Sequence, residues 1–366
     1  MAKDARLRVL LTHVFSWPEV RRGGERYLHE LGAALVRAGH DVQILSTGPQ
    51  ASRDTVLGAP VLRLRRRELM PDRFQALAGE VGFGVQSLAW AAARPFDVWH
   101  ALGTADAASA TVLATVRRGL RTVFTDLGVP GRESRLRRPD RRLHRRVVDA
   151  VDHYLCLSEW ARGYLEDGFG RPGEVMGAGI DLRTFAPGPR AATPTVLYSG
   201  SLVESRKNVP LLLEAVSLLR ARIPDVRLRL SGPGDVTEML AAAPADARAA
   251  VASAALDDRD TLGRLYASSW VTCLPSINEA FGLAIVESLA SGTPGVVLRG
   301  GGGSAELMRD HAVLGAGDGP DALADTLAEA IELARDPETA DRCREVAREH
   351  DWDSALVPRL LAMYRG

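Results

Sequence analysis

The chain has 366 residues, 46% of them hydrophobic and 25% charged, with a mean hydropathy of −0.05. These values exclude a disordered, collagenous or membrane-embedded polymer, and at about 150 residues per domain the length predicts two domains. Lys plus Arg equals Asp plus Glu at 46 each, so overall charge marks neither a nucleic-acid binder nor a coat on an acidic surface.

The zero conceals an asymmetry: residues 1–188 carry 28 − 21 = +7 and residues 189–366 carry 18 − 25 = −7. Only Lys3 and Lys207 are lysine, which singles out Lys207. Cys156, Cys273 and Cys343 are widely spaced and odd in number. They suit a reducing compartment better than a disulfide framework or a close-set metal site. The start, Met1–His13, has no cleavage pattern, and no run of about 18 apolar residues occurs. The expectation is a cytoplasmic chain with no leader and no spanning helix.

In chain order, Arg8–His13 reads as a strand, and Gly24–Ala38 as a helix with Leu28, Leu31, Leu35 and Ala38 at helical spacing. Gly39 stops that helix and Val42–Ser46 is the next strand, so a βαβ unit and a parallel sheet are predicted. Strands at Val61–Leu64, Asp97–Ala101, Thr122–Thr125 and His153–Leu157 follow, with helices at Arg73–Ala93 and Ala105–Arg117 between them. Gly170–Pro194 is rich in Gly, Pro and Ala, as a linker should be. The pattern then restarts with strands Thr195–Ser199, Val226–Leu230, Trp270–Leu274 and Pro294–Leu298 and helices Val209–Arg222 and Gly282–Ala290. The expected fold is α/β: two Rossmann-like, doubly wound parallel-sheet domains at 1–176 and 193–351, a hinge at 177–192, and a last helix, 352–366, returning to the first domain.

Three segments carry candidate chemistry. Pro275–Pro294 reads as loop, helix and stop after a strand, so its helix tip lies where ligands bind in parallel sheets. Amides of Phe281, Gly282 and Leu283, beside Ala280, would face an anion there. Glu279 in the loop and Glu287 inside the helix could hold sugar hydroxyls. A dipole-complementing acid and a solvated helix residue are the plainer readings of the two. In Tyr198–Pro210, Gly200 and Ser201 form a turn, and adjacent Arg206 and Lys207 suit a diphosphate, although a solvated pair in a turn reads equally well. Third, Arg21–Arg26 contains Gly23 and Gly24 between a strand and a helix. It is a plain tight turn or an anion-binding one, and not the dinucleotide fingerprint.

Together these segments resemble the retaining nucleotide-sugar glycosyltransferases of family 4, which have the GT-B architecture of two domains facing a central cleft. The likeness lies in Gly23–Val42, in Ser158-Glu159, in Gly179-Ile-Asp181 with Phe185, and above all in Glu279 and Glu287 with Phe281-Gly-Leu283 and Ala290–Pro294. It implies that Glu279 contacts the donor sugar, Glu287 the ribose, Lys207 the diphosphate and Gly24 the phosphate nearer the sugar, with Glu306 close to the nucleotide. The partners it implies are a nucleoside-diphosphate sugar and a small hydroxyl acceptor. No Asp-x-Asp pair stands where it could chelate a metal, so no cofactor is expected. Two departures stand out: Ser201 occupies a usual arginine position, which leaves load for Arg206, and Leu127 occupies a usual histidine position. Asp126 and His100 are the neighbouring ionisable candidates, each either functional or merely hydrogen-bonded.

Eight arginines lie between Arg132 and Arg146, and Arg63, Arg65, Arg66 and Arg67 form a second cluster. Without interleaved aromatics a nucleic-acid surface is disfavoured. A solvated helix, contact with anionic lipid at the inner membrane face, and recognition of an anionic acceptor are the remaining readings. A catalytically impaired nucleotide-sugar-binding protein, or an epimerase or phosphorylase of the same architecture, is the alternative function.

Overall fold

The computed structural model of the chain describes residues 5–20, 22–66, 75–128, 138–254 and 259–366. They fall into two compact units, one of residues 1–179 with 352–366 and one of residues 180–351.

In the first unit the elements alternate as β1 (Arg8–Thr12), α1 (Gly23–Arg37), β2 (Asp41–Gly48), β3 (Ser52–Val56), β4 (Ala59–Arg65), α2 (Gln75–Ala92), β5 (Val98–Ala101), α3 (Thr104–Val116), β6 (Arg121–Thr125), α4 (Arg138–Ala150), β7 (His153–Cys156), α5 (Glu159–Phe169) and β8 (Glu174–Val175). They build one eight-stranded sheet in the order β3-β4-β2-β1-β5-β6-β7-β8. Its central strands are continuous apolar runs because helices cover both faces: Val9, Leu10 and Leu11 are fully buried, as are Val98 and Trp99. Leu10, Trp99, Phe124 and Tyr154 share a core with Val147 and Val148 of α4 and Leu165 and Phe169 of α5. Ser158 caps α5 by accepting from the Ala161 amide at 3.0 Å, as a serine before a helix should.

The sheet departs from the parallel expectation at one edge. β3, for which the sequence reading named no element, pairs antiparallel with β4. Its residues Ser52–Thr55 are exposed, so no apolar alternation announced it.

The carboxy-terminal segment belongs to this unit. Trp352 is fully buried, its ring edge-on to Tyr27 at 5.0 Å, and its Nε1 donates to Glu30 Oε2 at 3.1 Å. Asp353 pairs with Arg37 at 2.6 Å.

The second unit contains β9 (Thr195–Ser199), α6 (Val209–Arg220), β10 (Arg227–Ser231), α7 (Thr237–Ala242), α8 (Ala245–Ala250), β11 (Val251–Ala254), α9 (Arg259–Ser268), β12 (Val271–Leu274), α10 (Leu283–Ala290), β13 (Gly295–Leu298), β14 (Val313–Ala316), α11 (Pro320–Leu333) and α12 (Thr339–Arg348). The last helix of the chain, α13 (Val357–Arg365), is part of the first unit. The second sheet is parallel throughout, in the order β11-β10-β9-β12-β13-β14. Of the expected hinge at 177–192, residues 180–192 fall within this unit: Phe185 is fully buried against the Tyr266 ring at 6.0 Å. The Gly, Pro and Ala content marked irregular backbone there, and burial of one aromatic ring anchors it. All three cysteines are buried as free thiols. No helix among the described residues is long and apolar enough to cross a membrane.

Candidate functional site

In the second sheet the strand order reverses between β9 and β12, and the crevice at such a reversal, beyond the carboxyl ends of the strands, is where open α/β sheets bind ligands. The loops leaving those two strands are Gly200–Asn208 and Pro275–Gly282. They are stitched together by the Ile277 amide donating to the Arg206 carbonyl at 2.9 Å. A single 3-10 turn, Ser205–Lys207, holds the two cations, and Asn208 takes a positive φ of 54° to start α6.

That stitching brings the sequence candidates into contact. Lys207 Nζ donates to Glu279 Oε2 at 2.5 Å and Arg206 Nη1 to the same oxygen at 3.1 Å. The Arg206 fork also reaches Glu204 Oε2 at 3.0 Å. Glu279 is only 9% exposed. Burial pushes its carboxyl up, but the charges and hydrogen bonds of Lys207 and Arg206 outweigh that and hold it below the usual carboxylate range. Its backbone is fixed as well, the amide donating to the Gly301 carbonyl at 3.0 Å and the carbonyl accepting from Gly303 at 2.7 Å.

Glu279 thus leads into the tip of α10, whose first backbone bond runs from Ile285 to the Gly282 carbonyl, so the amides of Phe281, Gly282 and Leu283 precede it. Gly282 has φ 98°, and a Cβ there would lie 2.9 Å from that of Ser304. Ala280 and Phe281 are buried, Phe281 edge-on to the His350 ring. Glu287 is 1% exposed and its Oε2 accepts from the Tyr266 hydroxyl at 2.8 Å. The solvated-helix reading of Glu287 is therefore incorrect: the residue faces α9, not water.

Two features of this site escaped the sequence reading. The turn after β10, Ser231-Gly-Pro-Gly234, lies against Gly200: the Gly200 amide donates to Ser231 and the Leu202 amide to Pro233, both at 2.9 Å. A Cβ on Gly232 would meet the Gly200 carbonyl at 1.8 Å. The signal was present as two glycines closely following a strand. Tyr266 is the other, and it sits in a helix with no motif of its own. Ser201 offers its carbonyl to the Tyr198 hydroxyl at 2.6 Å. Glu306 is exposed in a 3-10 turn.

In the first unit Gly23 and Gly24 open α1, Arg21 lying outside the described residues. The Gly24 position is bordered by Leu127, whose Cδ1 would lie 3.2 Å from an added Cβ. Glu25 accepts from the Arg22 amide at 3.1 Å and lies 3.5 Å from His13 Nε2.

The two acid–base candidates of this unit are both engaged by neighbouring side chains or backbone within it. His100 is fully buried, with Nδ1 2.6 Å from the Tyr364 hydroxyl and Nε2 2.6 Å from Thr125 Oγ1. Burial pushes its pKa down to about 3. Asp126 accepts from the Gly128 amide at 2.7 Å and the Tyr154 hydroxyl at 3.1 Å, and lies 3.4 Å from His144 Nε2. It braces the turn after β6.

The arginine clusters also divide. Arg63 is buried, donating to Ser16 Oγ at 3.0 Å and to the Trp17 carbonyl, and Arg66 forks onto Glu19 with two 2.7 Å bonds. Neither is an open anion receptor. Arg67, Arg132, Arg135 and Arg137 lie outside the described residues, whereas Arg141, Arg142, Arg145 and Arg146 of α4 are exposed. Among the described residues, no group of three His, Cys, Asp or Glu side chains is placed to hold a metal ion.

Comparison with known proteins bears on this geometry. Residues 21–184 match the family described as Glycosyltransferase Family 4, and residues 183–350 match Glycosyl transferases group 1. A phosphatidyl-myo-inositol mannosyltransferase of Mycobacterium tuberculosis is 29% identical over 61% of this chain and 61% of its own length. A D-inositol 3-phosphate glycosyltransferase of Nocardiopsis dassonvillei is 30% identical over 69% of this chain and 63% of its own. The chain thus spans less than two thirds of either relative. Among solved structures, sucrose-phosphate synthase from Thermosynechococcus elongatus is similar with a TM-score of 0.81 at 20% identity, covering 98% of both chains. Anabaena HepE in complex with UDP and glucose gives 0.72 at 16% identity, over 98% of this chain and 100% of its own.

Proposed function

The chain belongs to the family 4 glycosyltransferases of GT-B fold, and from that premise we propose that it moves a hexosyl or aminohexosyl unit from a nucleoside-diphosphate sugar to a hydroxyl acceptor, with retention and without a metal. The observation that carries this reading is the contact of Lys207 and Arg206 with Glu279 at the tip of α10.

In the proposed reaction the bond between the anomeric carbon and the phosphate oxygen breaks, and the departing phosphate keeps the electron pair. Lys207 and Arg206, with the amides of 281–283, stabilise the charge that develops there. Glu279 holds both cations in place and offers its carboxylate to a sugar hydroxyl. The acceptor hydroxyl bonds to the anomeric carbon on the face being vacated, and its proton passes to the departing phosphate oxygen. Glu287 takes the ribose.

The named activities of the relatives make inositol 3-phosphate and phosphatidylinositol the first acceptors to test. Peripheral contact with anionic lipid is favoured by Val81, Val85, Val112 and Val116, exposed on α2 and α3, because α4 with its exposed arginines packs on α3.

The experiment is a thermal-shift screen of nucleoside diphosphates, followed by product analysis with the matching sugar donor. A binder at 100 times its dissociation constant adds about 2.7 kcal/mol of stability. Release of nucleotide with formation of a new glycoside is expected. Binding without transfer to any hydroxyl acceptor would favour an impaired binding protein instead.

A further inference from the structure

We propose that Tyr266 is the positioning residue that sets the orientation of the Glu287 carboxylate, and through it the recognition of the nucleotide's ribose. The inference rests on the donor-binding reading above. Glu287 lies on α10 and Tyr266 on the preceding helix, α9, so nothing in the local sequence joins them. Packing does: the Tyr266 hydroxyl donates to Glu287 Oε2 at 2.8 Å, with Tyr266 fully buried and Glu287 1% exposed.

The tyrosine is itself held on several sides. Its ring stands edge-on to Phe185 at 6.0 Å, and its carbonyl accepts from Thr293 Oγ1 at 2.8 Å. Thr293 belongs to the turn that ends α10, where Ser288 Oγ donates to the Thr293 carbonyl at 2.9 Å and Ser291 Oγ to the Glu287 carbonyl at 3.0 Å. The phenol and the carboxylate are therefore fixed in one frame.

A buried carboxylate oxygen accepting from a fixed hydroxyl cannot turn without losing a charge-assisted bond. The phenol thereby sets the plane in which the Glu287 carboxylate is held. A ligand hydroxyl meeting a carboxylate fixed in this way encounters a preorganised acceptor, which is what separates a reader of ribose from a merely buried acid.

The test is a binding cycle on the purified chain with Tyr266→Phe. UDP, GDP and ADP are each compared with their 2′,3′-dideoxy counterparts by calorimetry, using the pair that the wild type binds. The wild type should prefer the ribose form, and Y266F should lose about tenfold in affinity for it. Y266F should lose little for the dideoxy form, so that the two penalties are non-additive. In turnover with the matching donor, KM should rise by a similar factor while kcat stays within about threefold. Penalties that simply add, or Y266F affinities equal to wild type, would overturn the positioning role. A Y266F chain with lowered thermal stability but unchanged ribose preference would assign the phenol to packing alone. If the wild type bound no nucleoside diphosphate, the donor-site reading itself would fail, a result visible before any variant is made.

Discussion

Removing Lys207 gives the most direct measure of the site. At 2.5 Å from Glu279 Oε2, and with the effective dielectric near 20 that suits such pairs, the gross attraction is about 7 kcal/mol. Desolvation of two side chains that are each 12% exposed cancels much of that. Breaking a buried pair by deleting one partner usually costs about 3–5 kcal/mol. Arg206 stays 3.1 Å from the same oxygen, so Lys207→Ala should cost less, about 2 kcal/mol. In a cycle of Lys207→Ala, Glu279→Ala and the double variant, urea unfolding at pH 7 should give a coupling of at least 1 kcal/mol.

The pH dependence has a defined sign. The folded carboxyl of Glu279 titrates below its unfolded value, so the pair contributes stability above the unfolded value that is lost as pH falls through the folded one. In K207A this acid-side loss should shrink. Transfer by either single variant should fall about a hundredfold, the scale for one preorganised electrostatic contact. Additive stability penalties together with near-normal transfer would refute the argument.

Chelator should leave transfer largely unchanged, as measured by nucleotide release before and after EDTA; a loss restored by manganese would overturn the metal-free proposal. Trp352→Ala should cost about 3–5 kcal/mol in urea unfolding, since it opens a cavity beside Tyr27 and strips the Nε1 donor from Glu30. A penalty under about 1 kcal/mol would show that the carboxy-terminal segment adds little to the first unit. Asp106 is buried, which pushes its carboxyl up to about 7 from 3.8, although Thr12 donates to it at 2.5 Å. Its folded form keeps the proton that the unfolded form has shed, so stability is lost as pH rises from about 4 to about 7. Over roughly three units that amounts to about 4 kcal/mol. Asp106→Asn should gain on the wild type across that window by equilibrium unfolding, and a pH-independent difference would contradict the shift.

Much of the proposed donor site was legible because its pieces are local. Strand, loop, helix tip and stop follow one another in Pro275–Pro294, and Arg206-Lys207 follows β9 within one loop, so chain order already put both at strand ends. The first unit was less readable. His100 and Asp126 have the right chemistry at strand ends, but a side chain's availability depends on what packs over it. Tyr364 and Thr125 cover one, and Tyr154 and His144 the other. The edge strand β3 went unread because its exposed residues carry no alternation.

Periodicity and turn chemistry in the amino-acid order determined the two Rossmann-like sheets and the segments that would carry anion-binding groups, because apolar spacing and helix ends are properties of neighbours along the chain. Only the tertiary structure decided which of those groups meet. Glu279 finds Lys207 across 72 positions and Tyr266 finds Glu287 across 21, and the geometry of such long-range contacts follows from how sheet and helices pack.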